Sequence, residues 1–163
     1  MLSSTRYRAR KPLIKWAVGS ENWGRQTFTV YVDGKVVGKT VNRNTLVSRR
    51  ALRQGRHNYQ VRATDRRGQT SRSRTRTFRV EAGLPVLKWT VRRRGRTVTV
   101  STVARDRGPA GLDFVRIDWG DKSKRIRRRS AVHHYKKGRY TLIVQAVDNA
   151  GNVTSKKKAL RIP

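Results

Sequence analysis

One segment of this chain occurs twice. Residues 55–71 and 138–154 align without a gap at an offset of 83, and six of the aligned positions are identical. A shorter similarity relates residues 13–18 to residues 86–91 at an offset of 73. Together these similarities predict a tandem duplication of one unit of roughly 80 residues, the size of a small domain. Each unit must then bury a core of its own.

Alternation of apolar and polar residues is the dominant pattern inside both copies. In the first copy one face carries His57, Tyr59, Val61 and Ala63, and the other carries Asn58, Gln60, Arg62 and Thr64. This period of two predicts a strand with one buried side. In the second copy Ile143 and Val147 lie opposite the apolar face, so that strand is expected to be covered on both sides. Similar patterns predict strands at 15–18, 27–32, 36–41, 77–80, 88–91, 97–103, 114–119 and 159–162.

Turn residues separate these strands, and Asp33-Gly34 is typical of a tight hairpin. We find no amphipathic helix, and at most residues 48–53 would form a single helical turn. Many short strands with frequent turns predict an all-β fold of two tandem immunoglobulin-like antiparallel β-sandwiches. The expected organisation is a basic arm or linker at 1–12, one sandwich at 13–82 and a second at 83–163, with Gly83 and Pro85 at the junction.

The second unit resembles the PKD domain family. The residues that carry the resemblance are Trp119-Gly120-Asp121-Lys122-Ser123, His133-His134-Tyr135, Gly138-Arg139-Tyr140 and Asp148. It covers residues 86–162 and departs from the family at Lys122, where the family usually has Gly. The first unit resembles a related bacterial immunoglobulin-like domain, through Tyr31–Lys35, Leu52–Gly55, Tyr59 and Asp65–Gly68. The resemblance implies PKD-like sandwiches with non-catalytic roles in extracellular multidomain proteins.

Charge is the most unusual property of the composition. The chain has 41 Lys and Arg residues against nine acidic residues, which gives a net charge of +32. Such a field attracts polyanions over about 8–10 Å at ordinary salt concentrations. Possible partners are anionic cell-wall or extracellular polysaccharide, an acidic protein surface and nucleic acid. Arg-rich composition and protection of sheet edges against aggregation explain part of the charge as well.

The remaining chemistry favours a protein without a catalytic site. There is no cysteine, which excludes disulfides and cysteine metal sites. Three histidines without cysteine lack the spacing of a zinc site, and we expect no metal and no cofactor. No serine lies in a nucleophile motif and no pair of acids fits glycoside hydrolysis. The aspartates at turns, Asp33, Asp65, Asp118, Asp121 and Asp148, are expected to accept backbone hydrogen bonds; calcium binding by the last three is the alternative.

Basic clusters are therefore the main candidate site. The predicted polyanion-binding residues are Arg92, Arg93, Arg94, Arg96, Arg125, Arg127, Arg128, Arg129, Lys136 and Lys137. Among the tryptophans, Trp16 and Trp89 are equivalent in the two copies and Trp119 lies in the PKD motif, so we expect all three in the cores. Trp23 has no equivalent and is the candidate for stacking on a sugar ring.

These observations leave three hypotheses about function. The first is a non-catalytic binding and spacer module of an exported or cell-surface bacterial protein that contacts anionic polymer. The second is a nucleic-acid-binding protein, and the third is a structural subunit of a larger surface or filament assembly. The sequence has no stretch of about 18 apolar residues that could insert in a membrane. Residues 1–12 lack the apolar region of a signal peptide, so the chain is either cytosolic or a processed piece of a larger protein. Its end at 161–163, directly after a strand-like pattern, favours a piece of a larger multidomain protein.

Overall fold

The computed structural model describes residues 7–18 and 24–163, and contacts between Cα atoms divide the chain into two units, Met1–Ala82 and Gly83–Pro163. The described residues form strands and no helix that could cross a membrane. In unit 1 the strands are β1 (Tyr7–Arg8), β2 (Leu13–Lys15), β3 (Thr27–Val32), β4 (Lys35–Val41), β5 (Thr45–Val47), β6 (Gly55–Thr64), β7 (Thr70–Arg72) and β8 (Arg76–Val80). In unit 2 they are β9 (Val86–Arg94), β10 (Thr97–Arg105), β11 (Leu112–Asp118), β12 (Ser130–His134), β13 (Gly138–Asp148) and β14 (Val153–Ile162).

Unit 1 packs a large sheet on a small one. The large sheet has the order β1-β8-β6-β3-β4, with β7 paired to β6 beyond the end of β8, and the small sheet is the pair β2-β5. Between them lie Ile14, Phe28, Val30, Val61 and Phe78, all buried. These residues come from alternate strand positions, so the period of two in the sequence places them on one face.

Unit 2 packs two three-stranded sheets, β12-β10-β9 and β11-β13-β14. Its core includes Val98 and Val100 from the first sheet and Ile117, Leu142 and Val144 from the second, none of which is exposed to solvent. Buried residues alternate along β10 and β13, and together they form a continuous apolar layer.

The repeat has a local structural cause in the turns that end β6 and β13. In unit 1 the carboxylate of Asp65 accepts hydrogen bonds from the amides of Arg67 and Gln69. In unit 2 the carboxylate of Asp148 accepts one from the amide of Asn152, at 2.7 Å. In both turns the aspartate carbonyl also accepts a bond from the glycine three residues later. The duplicated aspartate and glycine therefore encode the same turn twice.

The local structure differs from the sequence-based expectation in two places. Within the arm expected at 1–12, Tyr7–Arg8 form β1, which pairs in parallel with β8. The helical turn expected at 48–53 is irregular chain instead. Its amides bond to the preceding segment, Ser48 to the carbonyl of Pro12 and Leu52 to that of Arg10. These long-range bonds replace the bonds within the segment that a helix would need.

The Asp33-Gly34 hairpin is confirmed. Both residues have positive φ, 50° and 75°, the conformation of the tight turn that suits the twist of a hairpin. Asp33 also does more than turn the chain, because its carboxylate accepts a hydrogen bond from the amide of Asn58 at 2.9 Å and contacts the ring of His57.

Candidate basic surface

The predicted polyanion-binding residues do not gather at one place in unit 2. Arg92 and Arg94 lie on β9, on the outward face of its sheet with Lys88. The end of the unit where β9 turns into β10 carries Arg93, Arg96, Lys136 and Lys137. The amide of Tyr135 donates a hydrogen bond to the carbonyl of Arg96 there. Arg125, Arg127, Arg128 and Arg129 lie in the crossing from β11 to β12.

The crossing segment uses two of its arginines within unit 2 itself. The Nε atom of Arg125 lies 2.6 Å from the carboxylate of Asp118. The guanidinium of Arg127 lies 4.0 Å from the ring centre of Phe114, on the edge strand β11. These contacts fix the segment along the edge of the sheet, and they neutralise or cover part of its charge.

The opposite side of unit 2 has a different charge environment. There β9 and β14, the edge strands of their two sheets, run side by side in the same direction. At one end the hydroxyl of Thr154 donates to the carbonyl of Pro85, and at the other the Nε of Arg96 donates to the carbonyl of Pro163. We call this side the basic edge. The exposed cations of its two strands are Lys88, Arg92, Arg93 and Arg94 on β9 and Lys156, Lys157, Lys158 and Arg161 on β14.

Two lysines on the basic edge occupy positions that face the core by register. Lys156 is opposite Val144 and Lys158 is opposite Leu142, and both valine and leucine are fully buried. The lysine side chains nevertheless remain exposed. Long apolar stems can cover the open margin of a core while the ammonium groups stay in water. The three-lysine run of β14 belongs to this surface, although it was not among the predicted site residues.

Acidic residues are distributed unevenly in unit 2. Neither β9 nor β14 contains an acidic residue, whereas Asp113 and Asp118 lie on β11 and Asp121 in the turn that follows it. Acidic residues therefore offset part of the positive charge on the edge formed by β11 and the crossing segment. The positive charge of the basic edge has no acidic residue on either of its two strands.

The side chains of Asp118, Asp121 and His133 have structural partners. The carboxylate of Asp118 accepts from the amide of Gly120, and that of Asp121 from the amide of Ser123, as the turn pattern predicted. Asp121 also lies 2.6 Å from Nε2 of His133. Burial opposes its charge, but the bonds from Ser123 and His133 outweigh it and lower the pKa of Asp121.

Two of the three predicted core tryptophans contact buried rings. Trp119 is buried and stacks on His133 at 4.8 Å, and its carbonyl accepts a hydrogen bond from the hydroxyl of Tyr135. Trp16 is half-buried beside Phe28, and Trp89 is half-buried against the core of unit 2. Trp23, the candidate for sugar stacking, lies outside the residues that the structure describes.

His57 is held as a donor on both sides of its ring. Its Nδ1 lies 2.6 Å from the carboxylate of Asp33 and its Nε2 lies 2.8 Å from the carbonyl of Arg53. Both partners are acceptors, so the protonated ring satisfies both bonds. Burial lowers the pKa of His57, but the bonds to Arg53 and Asp33 raise it above 6.5 overall. With both nitrogens occupied, this ring is not placed to activate a serine.

The pair makes the stability of unit 1 depend on pH. The contribution of His57 is complete below pH 6.5 and is lost as pH rises through its higher folded pKa. Burial raises the pKa of Asp33, but the bonds from Asn58 and His57 lower it below 3.8 overall, so its contribution is lost only as pH falls through that lower value. Thermal unfolding is expected to show greatest stability of unit 1 between these limits. In Asp33→Asn, which keeps the turn, the loss of stability above pH 6.5 should be much smaller; an unchanged profile would contradict the assignment.

Comparison with solved structures places the fold in a known class. Fibronectin(III)-like modules of Clostridium thermocellum CbhA align with 96% of this chain and 87% of their own length, at 13% identity and a TM-score of 0.52. The chain has an immunoglobulin-like β-sandwich fold. The all-β fold class predicted from the sequence is therefore confirmed.

Two PKD domains are also similar to this chain, over about half of it. The PKD1 domain of Vibrio anguillarum Epp aligns with 50% of this chain and 96% of its own, at 18% identity and a TM-score of 0.44. The PKD1 domain of the Vibrio cholerae metalloprotease PrtV aligns with 48% and 96%, at 16% identity and a TM-score of 0.43. No protein-family model and no curated protein matches the sequence.

Proposed function

We propose that this chain is a non-catalytic binding and spacer module of an exported or cell-surface bacterial protein, and that it holds anionic wall or extracellular polysaccharide through its basic surface. The observation that carries the proposal is the basic edge of unit 2. Its two strands supply eight exposed cations and no acidic residue. In a chain of net charge +32, this is a surface on which a polyanion meets no local repulsion.

The shape of the basic edge suits a linear polymer. Lys88 and Arg94 are six residues apart on one strand, which corresponds to about 20 Å. Arg92 and Arg94 point to the same face about 7 Å apart, and each guanidinium can hold a carboxylate, sulfate or phosphate with two parallel hydrogen bonds. A flexible chain with regularly spaced anions can contact several of these groups at once.

The other predicted residues have a smaller part in this proposal. Arg93 belongs to the basic edge through β9, Arg96, Lys136 and Lys137 extend this edge at one end, and Arg128 and Arg129 contribute to the general field. Arg125 and Arg127 are bound to Asp118 and Phe114, so we assign them to the structure of the crossing. Protection of the open sheet edges is an additional effect of the same lysines, and it predicts no preference among polymers.

A matched pair of variants tests the proposal. Arg92→Gln/Arg94→Gln/Lys156→Gln removes three charges from the basic edge, and Lys124→Gln/Arg128→Gln/Arg129→Gln removes the same residue types from the opposite edge. Binding to polygalacturonate and to glycerol-phosphate teichoic acid is measured at several salt concentrations. We expect the basic-edge variant to bind at least about tenfold more weakly at low salt. The magnitude of its slope of log K against log salt should fall by up to about three. The control should change both quantities much less.

The outcomes separate the competing functions. Equal losses in both variants would show diffuse attraction and contradict a role for the basic edge. Tighter, more salt-dependent binding to duplex DNA than to either polymer would favour nucleic-acid binding instead. Recovery of the native protein in the cytosolic fraction of the producing bacterium would contradict the proposed exported location.

A further inference from the structure

Unit 1 contains a groove with a different character. A cavity of about 360 Å³ lies along β6, between the part of β6 that pairs with β7 and the part that pairs with β8. This size is within the range of roughly 300–1,000 Å³ found for small-ligand pockets. The side chains that can supply specific contacts are Tyr31, Asn58, Gln60, Arg62 and Arg72.

The groove exists because two strands share one partner. β7 pairs with the end of β6 and β8 pairs with its beginning, so the chain leaves the sheet between them. Ser73 anchors this departure: its hydroxyl accepts a hydrogen bond from the backbone amide of Val61 at 3.0 Å, and its carbonyl accepts one from the side-chain Nε2 of Gln60 at 3.3 Å. The floor of the groove is therefore a hydrogen-bonded strand and not a loop, which fixes the positions of its side chains.

Two cations lie side by side in the lining of this groove. Arg62 on β6 and Arg72 on β7 are directly opposite in the strand register. Like charges at such positions repel each other, and neither arginine has a carboxylate within ion-pair distance in the part of unit 1 that the structure describes. An oxyanion placed between the two guanidinium groups would convert this repulsion into two attractive contacts.

Arg62 is also held in place with one donor unused. Its guanidinium carbon lies 5.7 Å from the ring centre of Tyr31, which orients the group by a cation–π contact. Its Nε atom is out of solvent and makes no hydrogen bond to any residue of the described ranges 7–18 and 24–163. Buried donors normally have a partner, so the missing acceptor points to a ligand.

We propose that this groove binds a single anionic sugar residue. Arg62 and Arg72 would hold its carboxylate or sulfate, the side-chain amides of Asn58 and Gln60 would bond to hydroxyl groups, and the ring of Tyr31 would contact the apolar face of the sugar. The proposal rests on the proposed function for the polymer class, but it adds a site in unit 1 that is separate from the basic edge and that recognises one residue of the polymer.

Short oligosaccharides test this site, because they are too small to exploit a diffuse field. The probes are a galacturonate tetrasaccharide for the carboxylate, a sulfated maltotetraose for the sulfate and uncharged maltotetraose as the neutral control. Titration is followed by calorimetry and by the ¹H–¹⁵N signal of Arg62 Nε–H. We expect binding of one of the two anionic probes, no binding of the neutral one, and a shift of the Arg62 signal on saturation.

The variant Arg62→Gln/Arg72→Gln should weaken binding of the anionic probe at least about tenfold, the effect of losing charge-assisted hydrogen bonds. Its matched control is Arg56→Gln/Arg79→Gln, which removes another pair of exposed arginines directly opposite each other on β6 and β8. The control should change affinity less than about twofold. Arg62→Lys keeps the charge and the fold but removes Nε, and it should weaken binding at least about fivefold.

Each result counts for or against the groove. Equal losses in the two double variants, full binding by Arg62→Lys, or an unmoved Arg62 signal would overturn the groove while polymer binding by the basic edge could still hold. Binding of a thymidine oligonucleotide in preference to both sugars would overturn the sugar ligand. If neither the tetrasaccharides nor the long polymers bind, the proposed function fails together with the site.

Discussion

Replacing Gly120 by alanine is expected to destabilise unit 2 by roughly 3–4 kcal/mol. Gly120 has φ of +77°, and a Cβ atom built on it would lie 2.3 Å from the carbonyl oxygen of Thr141. The neighbouring atom is backbone of β13, the central strand of its sheet, so it cannot move aside without breaking the sheet. Denaturant unfolding followed by NMR should show the amides of unit 2 losing protection at lower denaturant, with those of unit 1 as an internal reference.

Gly151→Ala is the matched control for this prediction. Gly151 has φ of +92°, but a Cβ atom there would meet no other atom within 4 Å. The alanine would carry only the cost of the left-handed conformation, about 1–2 kcal/mol. If both variants are destabilised equally, the close approach to Thr141 is not what selects glycine at 120.

Phe78→Ala is expected to remove about 3–5 kcal/mol from the stability of unit 1. Phe78 is 2% exposed, and its ring contacts those of His57 at 5.6 Å and Tyr59 at 5.9 Å. Since β8 lies between β1 and β6 in the large sheet, its neighbours cannot close around the cavity easily. Thermal unfolding of unit 1, resolved by the NMR signals of its amides, measures the loss.

A smaller substitution at the same position separates cavity formation from loss of the aromatic contacts. Phe78→Leu keeps most of the apolar volume and should cost less than half as much as Phe78→Ala. It also removes the ring that stacks on His57 but leaves the bond from His57 to Asp33 in place. The pH dependence assigned to His57 should therefore persist while the stability falls. Loss of that pH dependence in the leucine variant would show that the stack, and not the bond to Asp33, controls His57.

The strands that could be predicted are those with a buried face. β3 was predicted at 27–32 and is found at Thr27–Val32, because Phe28, Val30 and Val32 alternate toward the core. The missed strands are short or exposed: all three residues of β7 are exposed, and β12 carries only Ala131 and His133 on its inner side. Such strands are held by ladder hydrogen bonds to β6 and β10, which leave no apolar pattern in the sequence.

The PKD motif was likewise predictable only in part. Lys122 occupies the turn position where the family usually has glycine, and its φ of +69° lies in the left-handed region that favours glycine. Residues 119–121 form one contact set with His133 and Tyr135, and these contacts explain why the motif residues occur together. Their spacing indicated the fold, but only the structure shows that the histidine stacks on the tryptophan and bonds to the aspartate.

The candidate site could be predicted only in part. The sequence identified Arg92, Arg94 and the arginines of 125–129 as one class of exposed cation, but it could not separate them. In the structure the second group lies beside Asp118 and Phe114, and the first lies on β9, which runs beside β14. The groove with Arg62 and Arg72 was not predicted, since a register across β6 and β7 has no local signal.

Composition, alternation and turn residues are local properties, and they determined the positive charge, the duplicated aspartate–glycine turn and the choice of strands over helices. Each of these follows from interactions between residues close in the chain. Which cations lie together was decided by tertiary structure alone, because β9 and β14 are about 60 residues apart and meet only when two sheets pack on a common core. Burial of that core aligns the edge strands, and the alignment creates a surface where no acid offsets the charge.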